Sequence, residues 1–128
     1  MTKKICFDID GTICPVKDLN QPYNELPPDF HFLEKMREYK KAGFIIVLFT
    51  ARNMGTYKDN LGKINIHTLP GLIEWLNLWD IPYDELYMGK QHCLFYIDDK
   101  AVRPEEFKNL SYSELLELTG QEWVKDAR

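Results

Sequence analysis

Ile5-Cys6-Phe7-Asp8-Ile9-Asp10-Gly11-Thr12-Ile13 joins a short apolar run to two carboxylates, a glycine and a threonine. A buried strand that finishes in charge needs compensation at its tip, because an unpaired carboxylate is costly to desolvate. Residues 4–8 read as such a strand. If its extended geometry continues, Asp8 and Asp10 lie on one side, since strand side chains alternate with period two. Gly11 then lets the chain turn sharply as it leaves.

Downstream, Pro15, Pro22, Pro27 and Pro28 mark residues 15–28 as a loop. Asp29 is an expected N-cap for a helix through about Ala42, with Phe30, Leu33 and Met36 along one side and Gly43 as its stop. The run "FIIVLF", Phe44 to Phe49, is apolar throughout, as in a strand covered on both faces of a parallel sheet. Residues 52–66 are polar, contain Gly55 and Gly62, and read as a loop. A second helix is expected from Thr68 or Pro70 to Trp79, with Leu72, Leu76 and Trp79 on one side. Trp75 and Trp79, at helical spacing, are expected in the core or on an oligomer face. Leu86 to Met88 reads as a short strand, and "LFYI", Leu94 to Ile97, as a further one. The tail from about Pro104 to Leu118 reads as mainly helical, ending near Gly120.

Strands alternating with helices predict an α/β architecture: a Rossmann-like, three-layer fold with a mainly parallel sheet and right-handed crossovers. In such sheets ligands bind beyond the carboxyl ends of the strands. Asp8 and Asp10 follow the first strand, and Thr50 then Arg52 the second. Lys90 follows the short strand, and Asp98 with Asp99 the last. Every expected strand delivers chemistry to the same edge.

Bulk properties narrow the function. The 128 residues fit one domain, residues 1–128, and 45% hydrophobic with 28% charged residues is an ordinary globular composition. A net charge of −4 argues against a nucleic-acid partner, which calls for a basic face. It also means that an anionic substrate needs a local positive centre. No run is long enough to span a membrane, and no signal-peptide core precedes Asp8. Cys6, Cys14 and Cys93 show no paired spacing, which predicts reduced thiols and a cytoplasmic location.

Four aspartates at one rim cannot all be ionised without a counterion. Two unit charges about 4 Å apart repel by roughly 4 kcal/mol at an effective dielectric near ~20. A hard divalent cation relieves this. The oxygen-only donor set, without His or Cys ligands, points to magnesium. Beside a lysine and a threonine hydroxyl, such a site suits phosphoryl transfer, where catalysis is mostly positioning and charge neutralisation.

Four segments in order, "DIDGT" at 8–12, "FTAR" at 49–52, "MGK" at 88–90 and "YIDDK" at 96–100, resemble the motifs of the haloacid dehalogenase-like (HAD) hydrolase superfamily. The resemblance spans roughly residues 4–103. It implies a phosphate-monoester hydrolase with Asp8 as the nucleophile that forms an aspartyl-phosphate. Asp10 would protonate the leaving alkoxide, then activate water, and its backbone carbonyl would ligate magnesium. Thr50 would hydrogen-bond a phosphate oxygen; Lys90 would neutralise the phosphate and orient Asp8. Asp98 would bind the metal, with Asp99 a ligand or its supporting partner. Arg52 is a candidate contact for a substrate oxygen or phosphate, with a structural salt bridge as its alternative. Tyr57, Lys58, His67 and Arg103 are weaker candidates for substrate contact; His31 and His92 read as structural or exposed.

About 40 residues separate Asp10 from Thr50, and about 40 separate Thr50 from Lys90. Neither interval has room for a folded cap domain. The pattern is similar to the small capless phosphatases of bacterial capsule and surface-polysaccharide biosynthesis. The expected substrate is a small phosphorylated sugar or polyol, with a neighbouring subunit or the 52–66 loop covering the open site. The alternatives are a capless phosphatase acting on a macromolecular phosphate and a non-catalytic metal- or phosphate-binding module of the same fold. An EF-hand is disfavoured because Ile13 and Leu19 occupy its sixth and twelfth positions. A phosphoacceptor receiver domain is disfavoured by the late aspartate pair.

Overall fold

The computed structural model describes residues 3–16 and 26–122. The expectations resting on Pro22 fall outside these residues. Eight elements follow in chain order. Strand β1 is Lys4–Phe7 and helix α1 is Phe30–Lys41. Strand β2 is Ile45–Thr50, followed by α2, Leu61–His67, and α3, Leu69–Leu78. Strand β3 is Glu85–Met88; α4, Pro104–Asn109, and α5, Tyr112–Leu118, complete the described chain.

The strands form one parallel sheet in the order β1-β2-β3. Lys4 pairs with Ile45 and Phe7 with Leu48, while Val47 pairs with Glu85 and Thr50 with Met88. These registers bring the C-terminal tips of all three strands to a common rim. The mixed α/β class expected from the alternation is therefore present.

Local chemistry explains the best-defined helix. The Asp29 carboxylate accepts the Phe32 N–H at 3.1 Å, an N-cap that satisfies one orphan donor. At the other end Gly43 adopts φ +95°, with its N–H donating to the Lys40 carbonyl and that of Phe44 to Tyr39. This is the left-handed termination that glycine accommodates without steric cost.

One apolar cluster unites Phe32, Leu33 and Met36 of α1 with Leu72, Trp75 and Leu76 of α3, Phe107 of α4, and Phe7, Ile46 and Leu48 of the sheet. Phe7 meets Phe107 and Phe32 edge-on, with ring centroids 5.1 and 5.8 Å away. Each such pair adds about 1 kcal/mol beyond area burial, and here pins the residue before Asp8. The buried Trp75 indole donates to the Leu26 carbonyl at 2.6 Å, so its polar edge is satisfied.

Three expectations need correction. The "LFYI" run is not a strand: Leu94 and Ile97 are 86% and 96% exposed, and residues 91–102 make no backbone–backbone hydrogen bond among the described residues. An apolar run signals β-propensity, but pairing requires an available edge and a register. The three-layer arrangement is likewise not seen among the described residues. One cluster packs α1, α3 and α4 against Phe7, Ile46 and Leu48, while Cys6, Phe49 and Tyr87, at the alternating positions, stand exposed. Finally, the 52–66 loop contains the start of α2, capped by the Asn60 side chain, which accepts the Lys63 N–H. The helical tail is two helices, divided where Ser111 and Glu114 form a capping box. Among the described residues no helix is long and apolar enough to cross a membrane.

Candidate active site

The tip of β1 and the turn after it hold the two motif aspartates. The Ile9 carbonyl, on a fully buried residue, accepts the N–H groups of Thr12, Ile13 and Cys14, and the Gly11 N–H returns to the Cys14 carbonyl. Closing that turn requires φ +85° at Gly11, which is why glycine stands there. The turn folds Thr12 back onto the strand tip, so its hydroxyl donates to Asp8 Oδ2 at 3.1 Å.

Lys90 arrives from the end of β3. Its backbone N–H donates to the Thr50 carbonyl at 3.1 Å, tying the ends of β2 and β3 together. Gly89 just before it has φ +95°. The Lys90 ammonium lies 3.2 Å from Asp8 Oδ1 and 4.2 Å from the ring centroid of Tyr96. Both Asp8 oxygens thus have a donor, one neutral and one cationic.

Asp10 has its own partner. Arg52 Nη2 donates to Asp10 Oδ1 at 2.7 Å, and Nε donates to Oδ2 at 3.1 Å. This is a two-pronged charge-assisted contact, the geometry that a planar guanidinium favours. Arg52 is 5% exposed and Thr50 1%. The Thr50 hydroxyl oxygen accepts the Arg52 backbone N–H at 3.0 Å, which leaves its proton free to donate elsewhere. Cys14 lies against the same carboxylate, its Sγ 3.7 Å from Asp10 Oδ1.

The rim therefore assembles Asp8, Asp10, Thr50, Arg52 and Lys90 from three strand ends. Asp98 and Asp99 are exposed, and the Asp98 carboxylate accepts the Lys100 N–H at 2.8 Å. Among the described residues no group of three or more His, Cys, Asp or Glu is placed to hold a metal, so the late aspartates are not gathered with Asp8 and Asp10. The donors that are at the rim, carboxylate and hydroxyl oxygens, suit a hard cation such as magnesium. Tyr57, which precedes α2, and His67, its last residue, stack with centroids 5.6 Å apart.

Thr12, Cys14 and Tyr96 also line this rim, and sequence reasoning had not given them roles. Thr12 had a signal, since it lies inside the motif that contains Asp8. Tyr96 likewise opens the segment that contains Asp98 and Asp99, whereas Cys14 lies outside the quoted motifs and its contact depends on how the turn folds back.

This arrangement defines an α/β protein whose charged groups converge beyond the carboxyl ends of a parallel sheet. A crystal structure from Vibrio cholerae, described only as a structural-genomics target, resembles it with a TM-score of 0.87. The two are 46% identical, over 94% of this chain and 98% of that one, so this chain belongs to the same family as the Vibrio cholerae protein. No family model and no curated protein matches it.

Proposed function

We propose that this protein is a magnesium-dependent phosphatase of the HAD hydrolase type, releasing phosphate from a small phosphorylated sugar or polyol. The observation that carries the reading is the clamp on Asp8. Its carboxylate stands at a strand tip between the Thr12 hydroxyl and the Lys90 ammonium, with Asp10 two residues away and separately held. A nucleophile needs orientation, and a phosphoryl group needs positive charge where its oxygens crowd. Lys90 supplies both.

In this reading Asp8 attacks phosphorus through one carboxylate oxygen while the bond to the leaving oxygen breaks. Asp10, after taking up a proton from solvent or from the bound phosphate monoanion, passes it to that oxygen, so the product departs as a neutral alcohol. Asp10 then takes a proton from water; the water oxygen attacks phosphorus, the aspartyl-phosphate bond breaks, and inorganic phosphate leaves. Thr50 donates its hydroxyl proton to a phosphate oxygen. Asp8 and the Asp10 carbonyl would hold magnesium at the rim, joined by Asp98 and Asp99 only if their segment draws in, and the metal would when bound neutralise charge on the transferring phosphoryl group. The acidic net charge and the short intervals between motifs favour a small anionic ester over a macromolecule.

Phosphate release from a chromogenic phosphate monoester, with and without EDTA, tests the class of reaction. Activity should require the metal, and Asp8→Asn should abolish turnover while leaving the thermal melt unchanged. Turnover by Asp8→Asn above a few per cent of the parent rate would remove Asp8 from its role. Absence of phosphate release from every ester of a metabolite panel would leave a binding module instead.

A further inference from the structure

We infer that Arg52 is a positioning residue, fixing the Asp10 carboxylate for proton transfer, and is not a contact for the substrate phosphate. The inference rests on the phosphatase reading of the rim and assigns a residue within it.

The geometry leaves Arg52 little freedom to do otherwise. Two of its nitrogens contact the two separate oxygens of Asp10, at 2.7 and 3.1 Å. Its side chain is 2% exposed, against 21% for Asp10, so the aspartate faces the open rim and the arginine stands behind it. The backbone is fixed as well, through the Arg52 N–H and the Thr50 hydroxyl oxygen. To reach a phosphate, the guanidinium would have to break both contacts to Asp10 and leave the buried site in which it is held.

Each carboxylate oxygen carries two lone pairs; Oδ1 also meets the Cys14 thiol, so the grip leaves an acceptor position on Oδ2. The rigid fork fixes the plane of the carboxylate in a way that a flexible ammonium would not. Asp10 sits in a turn whose conformation depends on Gly11, so backbone alone is a loose support for a group that must meet a leaving oxygen. Arg52, two residues beyond the end of β2, provides the second support.

A phosphate contact and a positioning role predict different kinetics. Loss of a phosphate contact weakens every ester alike, because all share the phosphoryl group. In kcat/KM, which reports the steps up to release of the alcohol, loss of Asp10 positioning hurts only those esters whose leaving oxygen needs a proton, while the later hydrolysis of the aspartyl-phosphate, common to all esters, shows in kcat. Arg52→Lys and Arg52→Gln are therefore compared with the parent on an alkyl phosphate and on dinitrophenyl phosphate, after circular dichroism shows both variants folded. In Arg52→Gln, kcat/KM for the alkyl ester should fall about 100-fold, the scale of general-acid catalysis, with less than about a threefold change for the dinitrophenyl ester. Arg52→Lys should recover only part of the loss. Equal losses on both esters would overturn the inference.

A second measurement needs neither turnover nor metal. In the metal-free protein the Arg52 Nε–H resonance should exchange slowly with solvent and lose that protection in Asp10→Asn. Protection that survives Asp10→Asn overturns the pairing even if the variants misfold. A parent protein inactive toward all esters sinks the phosphatase reading alone, and the resonance still decides whether Arg52 holds Asp10.

Discussion

Cys14 shows how strongly a single side chain is conditioned by this rim. Burial, reinforced by the neighbouring Asp10 charge, pushes its thiol up to about 12. Only the thiolate is strongly nucleophilic, so Cys14 is inert near neutrality. An alkylating reagent at about pH 8 should modify the exposed Cys6 and Cys93 in the native protein and spare Cys14 until denaturant is added. Mass spectrometry of the labelled peptides reads this directly, and fast native labelling of Cys14 would mean that the 9–14 turn opens. At this scale the sequence was partly legible. Asp8, Asp10, Thr50 and Lys90 announce themselves by following apolar runs. The sequence offers two roles for Arg52, and only the fold, by crossing 42 positions of chain to Asp10, separates them.

Among the elements, the junction before β3 depends on Asp84. Its Oδ2 accepts the Ile46 N–H at 2.8 Å, its own N–H donates to the Ile46 carbonyl at 2.8 Å, and Lys40 pairs with its Oδ1. The amide of Ile46, followed by Lys40, holds this carboxyl below its ordinary range. A depressed folded-state value means that the contribution to stability is present above the unfolded value of about 3.9 and is lost as pH falls through the folded one. Asp84→Asn should lower Tm near neutral pH, and the gap to the parent should close in strong acid. A gap independent of pH would show that the charge on Asp84 is immaterial. The strands β1, β2 and β3, with helix α1, were readable because apolar blocks and caps agree there. Helix α2 was not, because Gly62 and its polar neighbours resemble a loop until Ile64 is buried by tertiary packing. The division between α4 and α5 was encoded all along in Ser111 and Glu114.

For the molecule as a whole, the segment after Lys90 is where local preference and global arrangement part company. Leu94–Ile97 carries strongly apolar side chains into solvent, while β1 pairs with β2 alone among the described strands. The proposed metal role of Asp98 requires this segment to draw closer to the rim, and Tyr96 already touches Lys90 there. Magnesium with inorganic phosphate should therefore slow amide exchange across residues 94–97. Unchanged exchange would place the metal ligand elsewhere. This is also where the sequence was least able to speak: it specifies that the run is apolar, but not which edge, if any, receives it.

Asp8 facing Lys90 and Asp10 facing Arg52 make the rim electrically balanced from the chain's own residues. Construction of the fold is thereby separated from the supply of any ion. The strand ends are held without a cation, so that under the proposed function scarcity of metal would idle the protein and not unmake it.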